Sequence, residues 1–336
     1  MTAVPGEYRT PRRLGIVVVN YGSCELLRAN LRGVTAHQED GIVVVVDNLS
    51  TARQREDVEA LVSEEGWVGV YPEANLGFGG GMNVGVAAAV GAGATDLLLL
   101  NPDATIGADD VAALRAAVHR DPMQLVAPVV RRPDGTLWSA GSDLYLRTGL
   151  MRSRRRRTDT AGPTREWLSG ACLMLTASLW RTVGGFSEAY FLYWEDVDLS
   201  HRVLDAGGSL RVVDEASAVH DEGATHRLER QLGKSATYYY YNTLNRLRYA
   251  VDHLPVRGRL QWLALAPWAA RDILLQGGRR QLLRPVIPLG AVLRGTVAGG
   301  GLVVRSLLPS GSVRRGTTAA EPTDPPGRHL PVGPEP

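Results

Sequence analysis

Cysteine is almost absent from this chain. Its 336 residues hold Cys24 and Cys172 alone, far apart and without the paired spacing of a zinc site or a redox dithiol. They read as two buried free thiols of a reducing compartment. Lysine is scarcer still, with Lys234 the only one, so positive charge is almost wholly arginine; no mechanism is drawn from that. Charge of either sign is not in excess, since 37 Lys and Arg stand against 35 Asp and Glu, and no global field exists to recruit nucleic acid. An uninterrupted apolar run of about 18 residues is also missing. The opening MTAVPGEYRTPRRLG carries no apolar leader core. Secretion and a spanning helix are therefore not expected, and the expected location is cytoplasmic.

What is present begins with buried-strand signals. Residues 14–20, LGIVVVN, and 41–47, GIVVVVD, are continuous apolar runs that end in polar residues, the pattern of strands covered on both faces. A helical segment at 24–36 between them makes a βαβ unit with parallel strands. A second helix at 53–65 leads to a short strand at 68–71. A glycine-rich loop at 75–81 then opens an alanine-rich helix, and a further buried strand at 96–100 carries NPD at its end. Ligands of open parallel α/β sheets sit outside the carboxyl ends of strands. The polar clusters Asn20 with Tyr21, Asp47 with Asn48, the Asn75 loop, and Asn101 with Asp103 should therefore meet at one crevice. After a helix at 111–119 the chain reads as irregular and turn-rich. The arginine run 152–157 fits a solvated, mobile loop better than a phosphate contact. A strand near 210–213 follows, and the Pro-, Gly- and Thr-rich tail from 316 is expected to be disordered.

The acidic motifs carry the chemistry. Asp103, just past a buried strand, could supply a hard carboxylate to a divalent cation that steadies a departing diphosphate; a helix cap is the plainer role for NPD on its own. Glu195, Asp196 and Asp198 follow the aromatic run Tyr190, Phe191, Tyr193 and Trp194. Carboxylates crowded beside large rings repel and lose water, which raises a pKa and makes a general base. Asp196 is the candidate base, while Asp198 reads as an N-terminal helix charge. The segment NLGFGGGMN lets backbone approach a ligand. It is not the dinucleotide fingerprint, because Met82 or Val84 stands where the last glycine belongs. The first turn, NYGSCE, lacks that fingerprint too, which argues against a nicotinamide oxidoreductase. His220 is a candidate further metal ligand, with a structural histidine as the alternative.

Taken together, IVVVNY, VVDNLS, NLGFGGGMN, LLNPDA, WLSGACLML and GGFSEAYFLYWEDVDLSHR resemble the family 2 glycosyltransferases, in their bacterial rhamnosyltransferase-like branch, over residues 14–225. The resemblance implies an α/β GT-A fold: a Rossmann-like, mostly parallel central sheet flanked by helices. It also implies an inverting mechanism and a Mg²⁺ or Mn²⁺ ion. By that resemblance Asn20, Tyr21, Asp47 and Asn48 hold base and ribose, and Asn75, Gly77, Asn83 and Asn101 lie near the donor. Asp103 corresponds to the last acidic residue of the metal motif, helped by His220. Asp196 with Glu195 is the catalytic pair, and Trp167, Ser169, Gly170 and Trp194 line the donor and acceptor pocket. Two departures stand out: Asn101 replaces the first acid of a D-x-D, and Ser187 follows Phe186 where many relatives carry aspartate.

The domain reading is an extension at 1–13, the GT-A domain at 14–225, an Arg-rich helical appendage at 226–315, and the tail at 316–336. In the appendage, ten arginines between 242 and 305 face only Asp252 and Asp272, among Trp262, Trp268 and many leucines. Such a stretch suits an anionic membrane surface or a lipid diphosphate, and equally a helical cap with solvated arginines. The favoured donor is dTDP-rhamnose, with UDP- and other sugars behind it. The favoured acceptor is a polyprenyl-linked hydroxyl at the inner face of the plasma membrane. The rivals are a soluble natural-product aglycone and a nucleotide-sugar-binding protein without catalysis, which the intact EDVD argues against.

Overall fold

A computed structural model describes residues 12–22, 24–35, 41–49, 51–157, 162–221, 234–278 and 285–308. The expected tail, and all but the end of the expected N-terminal extension, lie outside the described residues.

The first half alternates strands and helices. It runs through β1 (Leu14–Asn20), α1 (Cys24–Thr35), β2 (Ile42–Asp47), α2 (Ala52–Glu65), β3 (Val68–Val70), α3 (Gly77–Gly91), β4 (Asp96–Leu100), β5 (Ala104–Ile106) and α4 (Ala108–Arg120). β6 (Gln124–Arg131) follows, then β7 (Leu137–Ser139), β8 (Ser142–Tyr145), β9 (Leu150–Ser153), β10 (Thr164–Trp167), β11 (Cys172–Thr176), α5 (Ala177–Val183), α6 (Glu195–Asp205) and β12 (Ser209–His220). Among the described residues four helices follow: α7 (Ala236–His253), α8 (Val256–Ala264), α9 (Ala266–Gln276) and α10 (Val286–Leu307).

The main sheet has the order β3-β2-β1-β4-β11-β6-β12-β5, with β7 beside β6. β1 pairs in parallel with both β2 and β4. The chain thus winds outward through β3 and returns on the other side of β1, which leaves a topological switch point between β1 and β4. Alternation sets the two faces. Ile16 and Val18 join the helices α1, α2 and α4 in one core, and Val17 and Val19 join α3, α5 and α6 in another. A third cluster, built by Tyr190, Trp194, Leu247, Tyr249 and Trp262, ties α7 to α10 onto this sandwich.

Three expectations change. The glycine-rich segment is not a loop before a helix: Gly77 to Gly81 are the first turns of α3. Helix glycines cost about 1 kcal/mol each against alanine, but these admit close packing. A Cβ on Gly85 would lie 2.5 Å from Val17, and one on Gly81 would lie 2.9 Å from Val19, so the helix presses directly on the sheet. The stretch after α4 is not irregular, since β6 is a buried strand of eight residues. Pro128 hides it, because proline argues against a central strand. It is accommodated where the β12 partner register breaks between Val213 and Ser217. The arginine run is solvent-exposed, as expected, but is not an irregular loop: it spans the end of β9 and one 3-10 turn. Arg157 donates to Asp143 at 2.8 and 2.5 Å and to Glu166 at 2.6 Å, which holds the three-stranded β10-β8-β9 sheet at its edge. Both acids bonded to the guanidinium raise the Arg157 pKa further. The pairing of β11 against β4 and β6 is antiparallel, so the sheet is mixed around a parallel half.

Candidate active site

The carboxyl ends of β1, β2 and β4 lie side by side, since Asn20 pairs with Asp47 and Val18 with Leu100. β11 runs against β4 with Cys172 opposite Leu100. The residues that precede β11 therefore arrive at the same edge, where the Asn101 amide donates to the Ala171 carbonyl at 3.0 Å. β12 ends there too: His220 pairs with Ala104, and the Asp221 amide donates to the Asp103 carbonyl at 3.0 Å. Antiparallel return strands thus bring the segments around 20, 47, 101, 170 and 220 to one edge.

At the ends of β1 and β2, Asn20 and Asp47 are buried and Tyr21 is half exposed. Arg55, which the sequence reading passed over, donates from Nε to Asp47 Oδ2 at 2.9 Å and from Nη2 to the carbonyls of Asp47 and Pro72. Asn48 is fully engaged within the protein. Its Nδ2 donates to Asn75 Oδ1 at 3.0 Å and to the Gly77 carbonyl at 2.9 Å, while its Oδ1 accepts from the Leu76 amide at 2.9 Å. Asn75 Oδ1 also accepts from the Gly77 amide. Asn48 and Asn75 thus bond to each other and tie the end of β2 to the start of α3. Asn83 likewise clamps the Phe186 backbone, donating to its carbonyl and accepting from its amide, each at 2.9 Å.

At the opposite end, the segment before α6 holds Tyr193 at φ 65 and Trp194 at φ 75. Two successive left-handed residues with side chains cost of order 1–3 kcal/mol each and survive only where the surroundings enforce them. The enforcement comes from α7, because the fully buried Asn245 donates from Nδ2 to the carbonyls of Leu192 at 2.9 Å and Tyr193 at 2.8 Å. The Phe191 carbonyl accepts from the Phe78 amide at 2.9 Å, and the left-handed Gly77 is needed beside it, since a Cβ there would lie 2.1 Å from that oxygen. Trp194 turns away from the crevice and packs with Tyr249 and Trp262; it is core, with 5% exposure.

The turn delivers three carboxylates to the start of α6 in three different states. Asp196 Oδ2 accepts from the Gly170 amide at 2.9 Å, and its Oδ1 accepts from the Val197 amide at 2.8 Å. Burial still outweighs these bonds and pushes its pKa up to about 6. Glu195 is buried with Oε2 unpartnered, and burial, with the charge of Asp196 second, raises its pKa well above the usual carboxylate range. Asp198 is buried too, but hydrogen bonds from His253 and Arg202, each at 2.8 Å, overcome that and hold it below the usual range. Position along one helix turn thus separates a candidate base from a structural ion pair.

Asp103 and His220 meet at the edge, with Oδ1 and Nε2 2.9 Å apart. Asn101 lies 3.4 Å from the same nitrogen, and its Oδ1 is buried without a partner. Trp138, absent from the sequence reading, sets its ring edge-on to His220 at 4.6 Å. Ser169 accepts from the Ala171 amide at 3.3 Å, and the Trp167 Nε1 is buried with no partner. Among the described residues no group of three or more His, Cys, Asp and Glu side chains is placed to hold a metal ion. Asp103 and His220 still fit one when other ligands come from the substrate: two cis donors of an octahedral ion stand about 3 Å apart.

Residues 11–255 match the family described as Glycosyltransferase like family 2. An N-acetylglucosaminyl-diphospho-decaprenol L-rhamnosyltransferase of Mycobacterium tuberculosis is 30% identical over 235 residues, covering 62% of this chain and 75% of that protein. A low-salt glycan biosynthesis hexosyltransferase of Haloferax volcanii is 24% identical over 217 residues, covering 62% and 67%. Among solved structures, a mannosyltransferase from Pyrobaculum calidifontis in complex with GDP-Man and Mn²⁺ superposes with a TM-score of 0.53 at 15% identity, over 88% of this chain and 86% of that one. GalNAc-T7 with UDP, GalNAc and Mn²⁺ gives 0.52 at 15% identity, and there this chain, 80% of it covered, spans 58% of the other protein. The chain belongs to the family 2 glycosyltransferases and has their GT-A fold.

Proposed function

We propose that this glycosyltransferase moves a hexosyl group, with rhamnose from dTDP-rhamnose favoured, to the hydroxyl of a lipid-linked acceptor with inversion at the anomeric carbon. The observation that carries the reaction type is the placement of Asp196. It is held by the Gly170 amide, next to the Ala171–Asn101 contact that leads to Asp103 and His220. A carboxylate suited to act as base and a carboxylate–imidazole pair suited to a cation lie along one edge, which supports the reading. The relative from Mycobacterium tuberculosis, named for L-rhamnosyl transfer to a decaprenol-linked sugar, supports both donor and acceptor class.

The chain's own residues divide the work. The acceptor oxygen forms the new bond to the anomeric carbon as the bond from that carbon to the diphosphate oxygen breaks. Asp196, ionised above pH about 6, takes the hydroxyl proton. Asp103 and His220, with the Asn101 carbonyl, would hold a divalent cation. Bound there, it would neutralise charge gathering on the leaving diphosphate; one carboxylate and one imidazole suit Mn²⁺ at least as well as Mg²⁺. Asp47, steadied by Arg55, and Tyr21 would meet the nucleoside.

The test is nucleotide release from dTDP-, UDP- and GDP-sugars with Mg²⁺ or Mn²⁺, with and without a bacterial lipid extract. Release from one donor, dependent on metal and increased by the extract, supports the proposal. Release increased only by soluble phenols or polyketides moves the acceptor to the natural-product class. Binding of a donor without release under any acceptor would make the chain a binding protein.

A further inference from the structure

The surface of this molecule is uneven in one respect. Of the fifteen large apolar side chains left exposed among the described residues, twelve lie between 256 and 308. On α10 they form a stripe, Val286, Leu289, Leu293, Val297 and Val304, at steps of three, four, four and seven, one side of an α-helix. Exposure along it runs from 48% to 80%. Arginine and apolar surface coincide: the described residues between 256 and 308 carry Arg257, Arg259, Arg271, Arg294 and Arg305 against Asp272 alone. Arg294 and Arg305 are both exposed on α10, which has no acidic residue.

By length and composition α10 could cross a bilayer; the sequence scan passes over it because Arg294 and Pro288 interrupt the run. Its other side rules that orientation out. A Cβ on Gly295 would lie 2.1 Å from Thr243 Oγ1, and one on Gly299 would lie 2.9 Å from Leu247, so α10 is pressed on α7 along its inner edge. α7 carries Asn245, Arg246, Arg248 and Asp252 and holds the turn before α6. Drawing α10 through hydrocarbon would draw α7 in with it, with its charges.

We propose that α10 is an interfacial helix, lying in the plane of an anionic bilayer with the Val286–Val304 stripe in the headgroup boundary and Arg294 and Arg305 on lipid phosphates. Trp268, 46% exposed on the neighbouring α9, is the residue type that favours such a boundary. A lipid surface fits better than a second copy, because a self-contact would bring arginine-rich, acid-poor faces together. The inference rests on the proposed lipid-linked acceptor for its purpose but not for its evidence: it would bring the crevice to the membrane that carries such an acceptor.

The experiment uses the full chain with a carboxy-terminal epitope, sedimented with phosphatidylcholine vesicles or with vesicles about one third phosphatidylglycerol. Binding needs neither donor nor acceptor, so its result stands apart from any turnover assay. Wild type should sediment with the anionic vesicles, and its epitope should stay open to added protease. Arg294→Gln with Arg305→Gln should weaken that partition roughly 30-fold. Leu293→Glu with Val297→Glu should abolish it while leaving thermal unfolding unchanged, since both side chains already face outward. Undiminished sedimentation of the glutamate variant overturns the proposal. So does an epitope protected from protease, the sign of a spanning helix. So does a wild type that ignores vesicles but dimerises through the stripe, with the glutamate variant monomeric.

Discussion

The Gly170 amide donates a 2.9 Å hydrogen bond to Asp196 Oδ2, joining the segment before β11 to the first turn of α6. That bond orients the carboxylate without neutralising it. Asp196→Asn keeps an acceptor oxygen for Gly170 but cannot take a proton. It is expected to lose transfer by about 10²- to 10⁴-fold with donor affinity within about twofold. Nucleotide release and donor titration check this; a variant that retains turnover removes Asp196 as the base.

The same carboxyl sets a pH window. Burial raises Asp196 to about 6, so kcat/KM should fall about tenfold per unit as pH drops below that value. The stability effect has the opposite sign. An acid whose folded pKa is raised contributes stability that is present below its unfolded value and lost as pH rises through about 6. Asp196→Asn should therefore melt higher than wild type at pH 8, with the gap closing near pH 4. A gap that widens on acidification contradicts the assignment.

Much of this site was legible because its chemistry sits in short contiguous motifs at strand ends. β1, β2 and β4 announce themselves since both faces are buried and leave no polar alternation. Pro128 hid β6, and glycine in α3 imitated a loop because packing against Val17 and Val19, invisible in a local window, decides its conformation. Asn48 and Asn83 were read as ligand contacts; their amides are spent on Leu76, Gly77 and Phe186. Asn245 and Trp138 could not be found at all, since each matters through a residue more than fifty positions away.

Gly77 meets two requirements at once, a φ of 74 and a Cβ-free approach to the Phe191 carbonyl. Gly77→Ala pays the left-handed cost and forces the turn before α6 outward. A loss of about 2 kcal/mol or more is expected by denaturant unfolding, with transfer reduced beyond what the unfolded fraction explains. Wild-type stability in this variant would mean that the turn gives way freely.

If Asp103 and His220 hold a cation together, Asp103→Asn and His220→Ala should each raise the Mn²⁺ concentration for half-maximal thermal stabilisation in the presence of nucleoside diphosphate by at least about tenfold. The double variant should lose less than the product of the two, because the side chains share one ion. Independent effects would place the cation elsewhere.

Asn245 holds the Tyr193–Trp194 turn through one amide group, donating to two carbonyls within the core. Removing a buried donor takes one hydrogen bond from each carbonyl, so Asn245→Ala should cost about 1–3 kcal/mol. The turn also aims Asp196, which predicts a split in the kinetics: kcat falls by about tenfold or more while the donor KM barely moves, because the residues proposed to meet the nucleoside hang from β1 and β2. Asn245→Leu discriminates this from loss of volume. It fills nearly the same space but has no donor for the carbonyl oxygens and so cannot restore the clamp. Recovery of kcat in the leucine variant would show that α7 supports α6 by packing alone.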